Sequence, residues 1–331
     1  MNILYAGSPD ISAKVLEDLC ELTKENPDFN IVGVLTNPPS AKGRHKDLIP
    51  TEVAQSAIKY NIPVLEPEKL DAELREKVSA LNPDILVCFA YGKIFGPKFM
   101  ALFPQGGINL HPSLLPKYRG CAPVPAAILN QEEETGITVQ KLALEMDSGD
   151  ILLQTKIQLD FTETSESLLN KAASMGGELL YQVLCNLKDG KAEATPQDSS
   201  QATYCEMLKK EDGLIDWTKS AKEICAKIRA FYPWPSSFTT YKDLQLKIHS
   251  AKVFNGFANC SENCSENCSE NANLSTPVEP GTVLALDKKE GILIQTGEGI
   301  LAVENLQLQA KKAMNFKDFL NGNKDFIGSK L

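Results

Sequence analysis

Apolar and polar residues follow two patterns in the first half of the chain. Short apolar runs predict strands, and stretches in which apolar residues recur every three or four positions predict amphipathic helices. The predicted strands cover 2–6, 31–36, 62–65, 84–90, 108–110 and 137–142. The predicted helices cover 9–19, 51–60 and 70–81, and the first of them has Ser8 as its N-cap and Pro9 at its first position.

Strands that alternate with helices indicate βαβ units and therefore a parallel sheet. The run 84–90 is apolar on both faces, which is typical of a strand in the middle of such a sheet. Residues 1–190 are thus predicted to form a doubly wound, Rossmann-like α/β domain, whose ligands bind beyond the carboxyl ends of the strands. A dinucleotide site is not expected, because its fingerprint needs three glycines and the turn after the first strand has only Gly7.

The chain changes character after residue 190. Residues 191–208 are polar and predict a linker, and 209–331 predict a smaller domain with one helix over 220–230. Short, partly alternating runs follow that helix, so we expect a β-barrel of the OB-like kind. Residues 255–276 are a low-complexity insertion in which Cys-Ser-Glu-Asn occurs three times. The spacing of its cysteines is not the two-residue gap of zinc sites, and no metal is expected.

Composition narrows the class of protein. The chain has 43% hydrophobic and 23% charged residues, as ordinary globular proteins do. No apolar stretch approaches the roughly 18 residues that a membrane helix needs. The N-terminus enters a strand without a signal-like run, so we expect a cytoplasmic protein. Nine cysteines, six of them isolated, do not fit a secreted disulfide framework.

Charge is distributed unevenly along the chain. The net charge is −9, of which residues 1–207 carry −10 and residues 208–331 carry +1. The asymmetry is a mild indication that the second half meets a polyanion. Two domains with different surface chemistry would give the same asymmetry.

The strongest candidate for catalysis lies at the end of the predicted strand 108–110. Strand alternation places Asn109 and His111 on one face, where α/β active sites occur. An asparagine amide can donate to a developing oxyanion, and a histidine can accept and return a proton near neutral pH. Asp147, in the loop after the predicted strand 137–142, is the best candidate for a carboxylate that orients the imidazole.

Four motifs in order carry a resemblance to a known superfamily. They read Asn109-x-His111-x-Ser113-Leu114-Leu115-Pro116, Arg119-Gly120-x-Ala122-Pro123, Thr135-Gly136-x-Thr138 and Asp147-x-Gly149-Asp150. Together they resemble the signature of the folate-dependent formyltransferases. The resemblance implies that Asn109, His111 and Asp147 move a formyl group from 10-formyltetrahydrofolate to an amine. It also implies that the folate binds beside Ser113, Leu114, Leu115 and Pro116, and beside the strand end at Val87, Phe89 and Tyr91.

Further segments resemble the methionyl-tRNA formyltransferase family, over nearly the whole chain except 255–276. They are 6–10, 43–50, 90–92, 215–217, 229–235, 280–282, 297–301 and 311–314. The resemblance implies initiator methionyl-tRNA as the acceptor. We also expect a monomer. The expected tRNA contacts are Lys42, Arg44 and Lys46 in a basic loop, with Arg229, Lys311 and Lys312 in the second domain. Cys121 stands where the family usually has alanine, and His45 and Asp47 dilute the basic loop.

Three alternatives stay open at this point. The chain could formylate a small amine such as a nucleotide sugar or purine precursor, although such a substrate needs neither the second domain nor the Arg44 loop. It could resemble the hydrolases of the superfamily that release formate. It could also be a catalytically silent RNA-binding protein, which would predict that the trio Asn109, His111 and Asp147 had drifted.

Overall fold

A computed structural model of the chain describes residues 1–42, 47–256 and 278–331. This part of the chain divides into two compact units. The first comprises Met1–Val124, Glu133–Leu159 and Ser167–Glu206. The second comprises Pro125–Glu132, Asp160–Glu166 and Met207–Leu331.

The elements are numbered in chain order. The strands are β1 (Asn2–Ala6), β2 (Asn30–Leu35), β3 (Ser40–Lys42), β4 (Asp47–Ile49), β5 (Val64–Leu65), β6 (Ile85–Cys88), β7 (Gly107–His111), β8 (Arg119–Gly120), β9 (Glu134–Lys141), β10 (Ile151–Gln158), β11 (Tyr204–Cys205), β12 (Ser237–Tyr241), β13 (Leu244–Val253), β14 (Val283–Asp287), β15 (Gly291–Gln295), β16 (Ile300–Leu308) and β17 (Met314–Asn315). The α-helices are α1 (Asp10–Thr23), α2 (Glu52–Lys59), α3 (Ala72–Ala80), α4 (Pro97–Met100), α5 (Pro123–Leu129), α6 (Ser165–Lys188), α7 (Ala221–Ala230) and α8 (Phe316–Gly322).

The first unit is built on a seven-stranded sheet in the order β10-β9-β7-β6-β1-β2-β5. The five strands from β7 to β5 are parallel, and β9 and β10 continue the sheet in antiparallel fashion. The strand order reverses between β1 and β6, so the crevice for a ligand is expected beyond the carboxyl ends of these strands. Register aligns Ala6 with Cys88 and Cys88 with Asn109, which brings the ends of β1, β6 and β7 to one edge.

Burial explains why this sheet forms where the sequence predicts it. All four residues of β6 are buried, as expected for a strand with helices on both faces. Aromatic rings beyond β6 stack in series, with centroids 5.5 Å apart for Tyr91 and Phe95 and 5.4 Å apart for Phe95 and Phe99. Thr51 caps α2, and Asp71 caps α3, by accepting hydrogen bonds from backbone N–H groups.

Two details of the first unit differ from the prediction. The N-cap of α1 is Pro9, without a side-chain cap, and Ser8 is not the cap. The Ser8 Oγ instead accepts hydrogen bonds from the backbone N and the Nδ2 of Asn37, at 3.2 and 2.9 Å. The segment predicted as a basic loop contains β4, which pairs with β3 as a short hairpin. Strands of three residues give too little alternation to be predicted.

The second unit contains a six-stranded antiparallel sheet with the path β12-β13-β16-β15-β14, and β17 pairs with β16. Helix α7 packs Ile224 and Ile228 into its apolar core, and Ser220 caps α7 in a capping box with Glu223. Both edges of the path are covered. Backbone of Leu214 lies beside β12, and the Val283 N–H of β14 donates to the Ser329 carbonyl at 2.9 Å. Covered edges protect a sheet from pairing with other chains.

These observations confirm the predicted fold class, a mostly parallel α/β domain followed by a separate antiparallel β domain. The segment predicted as a linker pairs with the first unit, through a bridge between Ile151 and Thr195 and through β11, which is parallel to β8. The Cys-Ser-Glu-Asn repeat lies outside the described residues. Within the described residues, no helix combines the length and apolarity that crossing a membrane requires.

Candidate active site

Strand β7 carries two of the three predicted catalytic side chains. Asn109 and His111 are two residues apart, so both project from the same face of the strand. Register sets Asn109 opposite Gln140, and His111 opposite Thr138, on the antiparallel neighbour β9. The imidazole of His111 is 5% exposed, whereas Asn109 is half-buried. The amide of Asn109 is therefore the more accessible of the two groups.

Asp147 comes from the loop between β9 and β10 and meets both of these side chains. Its Oδ1 lies 3.6 Å from His111 Nδ1 and accepts a long hydrogen bond of 3.5 Å from Asn109 Nδ2. Gln140 Nε2 donates to the same oxygen at 2.9 Å, and the Gly120 N–H donates to Oδ2 at 2.9 Å. The structure thus brings the three residues of the predicted trio together.

The partner of the second imidazole nitrogen fixes how His111 can act. His111 Nε2 lies 2.8 Å from the carbonyl oxygen of Tyr118. A carbonyl only accepts hydrogen bonds, so Nε2 must carry the hydrogen. The nitrogen that faces the Asp147 carboxylate is then Nδ1, which is free to take up a proton. When it does, both N–H groups of the imidazolium face oxygen acceptors.

The predicted folate segment, Ser113–Pro116 in sequence, is held by β9 and β10. Thr138 Oγ1 donates to the Ser113 carbonyl at 2.7 Å and accepts from the Leu115 N–H at 3.2 Å. Gln154 Nε2 donates to the Leu115 carbonyl at 3.0 Å. A Cβ on Gly136 would lie 2.4 Å from Leu114 Cδ2, so only glycine leaves room for this segment. These contacts give a physical reason for Gly136 and Thr138 in the motif Thr135-Gly136-x-Thr138.

The strand end predicted to contact folate has a buried face. The side chains of Val87, Phe89 and Tyr91 are at most 2% exposed, so these residues offer a ligand mainly their backbone. Burial raises the pKa of the Tyr91 hydroxyl, and Tyr91 Oη is buried without a hydrogen-bond partner in the described part of the chain. Burial also raises the pKa of the neighbouring Cys88 thiol to about 12.

Strained backbone surrounds the same site. Ala90, Tyr118 and Asp147 have φ values of 53°, 62° and 52°, in the left-handed region that residues other than glycine rarely adopt. Ala90 follows β6, Tyr118 supplies the carbonyl for His111, and Asp147 supplies the carboxylate. Such residues cluster at sites where the surrounding contacts hold the chain in one geometry.

The residues predicted to contact tRNA are divided between the two units. Lys42 ends β3, and Arg44 and Lys46 lie outside the described residues. Lys311 and Lys312 are exposed in the second unit. Arg229 instead donates from Nη1 to the Glu163 carbonyl at 3.0 Å, so its guanidinium is engaged within the second unit. In the described part of the chain, no group of three His, Cys, Asp or Glu side chains could hold a metal ion.

Sequence reasoning missed Gln140. Its side chain is 1% exposed, and its amide holds Asp147 Oδ1. The signal was available in β9, where Thr138 and Gln140 alternate with the apolar residues Ile137 and Val139. Polar residues on one face of a strand that is buried on both faces indicate a site.

Comparisons with known proteins agree with the geometry. The family model described as formyl transferase matches residues 1–184, and the model described as formyl transferase, C-terminal domain, matches residues 207–324. The chain is 48% identical over 335 residues to the methionyl-tRNA formyltransferase of Treponema denticola, with 99% of this chain and 98% of that protein covered.

Two solved structures share the fold. Methionyl-tRNA formyltransferase from Clostridium thermocellum has a TM-score of 0.55 at 20% identity, over 77% of this chain and 95% of that chain. HypX from Aquifex aeolicus, crystallised in complex with tetrahydrofolic acid, has a TM-score of 0.62 at 15% identity, over 98% of this chain and 48% of HypX.

Proposed function

Because the chain belongs to the formyl transferase family, we propose that it transfers the formyl group of 10-formyltetrahydrofolate to the amino group of methionine on initiator methionyl-tRNA. The product is N-formylmethionyl-tRNA, which serves translation initiation. The observation that carries the proposal is the 48% sequence identity to a methionyl-tRNA formyltransferase, in an alignment that covers 99% of this chain and so includes both domains. The 10-formyltetrahydrofolate is the formyl donor and is consumed as a substrate.

The reaction joins the formyl carbon to the amine and breaks its bond to N10 of the folate. Attack by the amine produces a tetrahedral intermediate with an oxyanion. We assign the stabilisation of this oxyanion to Asn109, whose Nδ2 has two N–H groups. One of them points to Asp147 at 3.5 Å, which leaves the second for the developing charge.

The proton that leaves the amine must reach N10 of the folate. We assign its transfer to Nδ1 of His111, because the Tyr118 carbonyl already engages Nε2. Asp147 lies 3.6 Å from Nδ1 and would stabilise the imidazolium that forms when His111 takes the proton. Return of the proton to N10 completes the exchange and restores the neutral imidazole.

The substrates are assigned to different parts of the chain. We propose that the folate binds along Ser113, Leu114, Leu115 and Pro116 and the backbone that follows β6. Residues 1–190 would carry catalysis, 191–208 the connection, and the OB-like domain 209–331 the binding of tRNA. Exposed Lys311 and Lys312, together with the loop of Lys42, Arg44 and Lys46, would contact phosphates, which position a nucleic acid without reading its sequence.

The decisive experiment measures formyl transfer from 10-formyltetrahydrofolate to methionyl initiator tRNA. Wild type is compared with His111→Ala and with His249→Ala, which removes the histidine of the second unit. We expect transfer by wild type and by His249→Ala, and collapse of transfer in a folded His111→Ala variant. Thermal unfolding of each variant separates loss of chemistry from loss of structure.

The same assay distinguishes the small-amine alternative. If wild type binds the folate but transfers nothing to methionyl-tRNA, the proposal is wrong, and amino sugars become the next substrates to test.

We further propose that the enzyme acts as a monomer in the cytoplasm. Light scattering coupled to gel filtration tests the first point, and a dimer mass would contradict it.

A further inference from the structure

We infer that Gln197 is a positioning residue for the catalytic loop, and that the segment 195–205 completes the active site. This inference rests on the proposed function, since it concerns the same reaction. The segment lies between the two family matches, which end at residue 184 and begin at residue 207. Its sequence is polar and predicts only a connection between domains.

The amide of Gln197 holds the loop that carries Asp147. Gln197 Nε2 donates to the carbonyl oxygens of Asp147 and Gly149 at 2.9 and 2.7 Å. It also lies 3.2 Å from Gln140 Oε1, on the side chain whose Nε2 binds the Asp147 carboxylate. Gln197 therefore fixes both the backbone of Asp147 and the amide that orients its side chain.

Gln197 is itself fixed by Arg119. Its Oε1 accepts hydrogen bonds from Arg119 Nε and Nη2 at 3.0 and 2.9 Å. Arg119 is 1% exposed, and its Nη1 donates to Tyr204 Oη at 3.1 Å. Tyr204 Oη in turn lies 3.3 Å from Glu145 Oε1, in the Asp147 loop. A buried guanidinium with directed partners is rigid, so this network leaves the Gln197 amide one orientation.

The same segment also holds the other partner of His111. Thr203 Oγ1 accepts from the Tyr118 N–H at 2.8 Å, and the Thr203 carbonyl accepts from the Arg119 N–H at 2.8 Å. Tyr118 supplies the carbonyl that binds His111 Nε2. Residues 195–205 thus support the groups that face both nitrogens of the catalytic imidazole.

Gln197 acts through Asp147 and does not touch substrate. The Asp147 loop has no regular secondary structure, and the carbonyls of Asp147 and Gly149 both accept hydrogen bonds from the Gln197 side chain. Loss of the Gln197 N–H groups frees the loop, and a displacement of about 1 Å in a catalytic group can lower the rate about 10²-fold. We expect the loss in kcat, with little change in KM for either substrate.

Three variants of the full chain test this inference. Gln197→Glu keeps the shape and the acceptor for Arg119 but removes the donor. Gln197→Met removes both. Gln201→Met is the matched control, because Gln201 lies in the same segment, is exposed, and donates to Asp198 at 2.9 Å. Initial rates with both substrates varied give kcat and KM, and thermal unfolding reports folding.

Separate values of kcat and KM distinguish positioning from a general loss of structure. A carboxylate at position 197 would face Arg119, whose Nε and Nη2 donate to the oxygen at this position, and the guanidinium favours the ionised form. The other charged groups near it are Asp147 and, through Tyr204, Glu145. Gln197→Glu therefore lacks a donor toward Asp147 and Gly149 throughout the range from about pH 6 to about pH 8, and we expect low kcat with little change in KM in both Gln197 variants.

Each outcome has one meaning. Low kcat with little change in KM in both Gln197 variants, together with normal rates for Gln201→Met, supports the inference. Wild-type kcat in a folded Gln197→Glu variant, or a comparable loss of kcat in Gln201→Met, overturns it. Absence of transfer by wild type contradicts the proposed function instead, so the two failures are distinguishable.

Discussion

The surroundings of His111 and His249 differ although both histidines lie on strands and both bind an oxygen through Nε2. His111 Nε2 lies 2.8 Å from the Tyr118 carbonyl, and His249 Nε2 lies 2.9 Å from Gln307 Oε1. The difference is at Nδ1. In His111 this atom faces Asp147 at 3.6 Å, whereas in His249 it is buried with no partner among the described residues.

The comparison shows that the chemistry open to a histidine depends on which hydrogen-bonding groups lie beside its two ring nitrogens. Around His111 the Asp147 carboxylate and the Tyr118 carbonyl come from separate segments of the first unit, and the amides of Asn109 and Gln140 bind the same carboxylate oxygen. Around His249 the neighbours are Gln307 and the ring of Tyr232, 6.0 Å away in a T-shaped contact. The first arrangement places an oxygen acceptor at both ring nitrogens, whereas the second places one only at Nε2.

The most direct test of the difference between the two histidines removes the amide side chain that lies beside each of them. Asn109→Ala should lower turnover by about 10²–10³-fold, the usual loss for one oxyanion donor. Gln307→Ala, which removes the partner of His249, should leave turnover within about threefold and affect only stability, by about 1 kcal/mol. Steady-state kinetics and thermal unfolding of the two variants measure both effects.

Equal losses of turnover in Asn109→Ala and Gln307→Ala would contradict the division between a catalytic and a packing histidine. The result is meaningful only if both variants unfold cooperatively and bind folate. A variant that fails this requirement can be replaced by Asn109→Asp, which keeps the size of the side chain and removes its donor.

A smaller effect is expected from the backbone beneath the folate segment. Gly136→Ala places a Cβ 2.2 Å from the Thr155 carbonyl and 2.4 Å from Leu114 Cδ2. Overpacking of this kind typically costs about 1–3 kcal/mol, and we expect kcat/KM for the folate to fall as well. The matched control is Gly322→Ala in the second unit, because an added Cβ there meets nothing within 4 Å. A Gly136→Ala variant with normal folate kinetics would show that the segment tolerates displacement.

A still smaller effect is expected from the cap of α7. Ser220→Ala removes the hydroxyl that accepts from the Glu223 N–H at 3.2 Å. We expect a loss of about 1 kcal/mol in the free energy of unfolding, and unchanged turnover below the unfolding temperature. Denaturant unfolding and kinetics at one temperature check the two statements. Reduced turnover in the folded Ser220→Ala variant would contradict the expectation that this cap affects stability alone.

The smallest effect is expected from the low-complexity segment. Deletion of 258–273 should leave formyl transfer to methionyl-tRNA within a few-fold of wild type, because its repeated polar sequence has no counterpart in the resemblance to the family. The control variant keeps the length of the segment and replaces its cysteines, so that an effect of shortening the chain can be recognised. A collapse of activity in a folded deletion variant would show that the segment takes part in function.

Much of the catalytic region could be predicted because strand periodicity determines it. Alternation alone places Asn109 beside His111, and the apolar run 84–90 identifies the central strand. Asp147 is the best candidate for the orienting carboxylate from its place in the loop after the predicted strand 137–142, and the resemblance to a family supports that choice. The N-cap of α1 was wrong by one residue, because Ser8 finds partners in Asn37, which is distant in sequence.

Gln140 and Gln197 carry no charge and do not titrate, so their residue type suggests no chemistry. The alternation in β9 still marks Gln140 as a polar residue on a buried strand, whereas nothing in the polar segment around Gln197 distinguishes it. Their importance lies in contacts that exist only after folding. The predicted phosphate contact of Arg229 stays a prediction, and the folded chain adds a hydrogen bond from its Nη1 to the Glu163 carbonyl that the sequence did not indicate.

The contacts of Gln197 also bear on how the enzyme is made. They reach back 57 residues to Gln140 and 50 to Asp147, and the contact with Arg119 spans 78 residues. None of these contacts can form before residue 197 has been synthesised. During synthesis a nascent chain that ends at residue 184 already contains Asn109, His111 and Asp147, but it does not yet contain Gln197. A ribosome-bound chain should therefore become catalytically competent only after Gln197 has emerged from the exit tunnel.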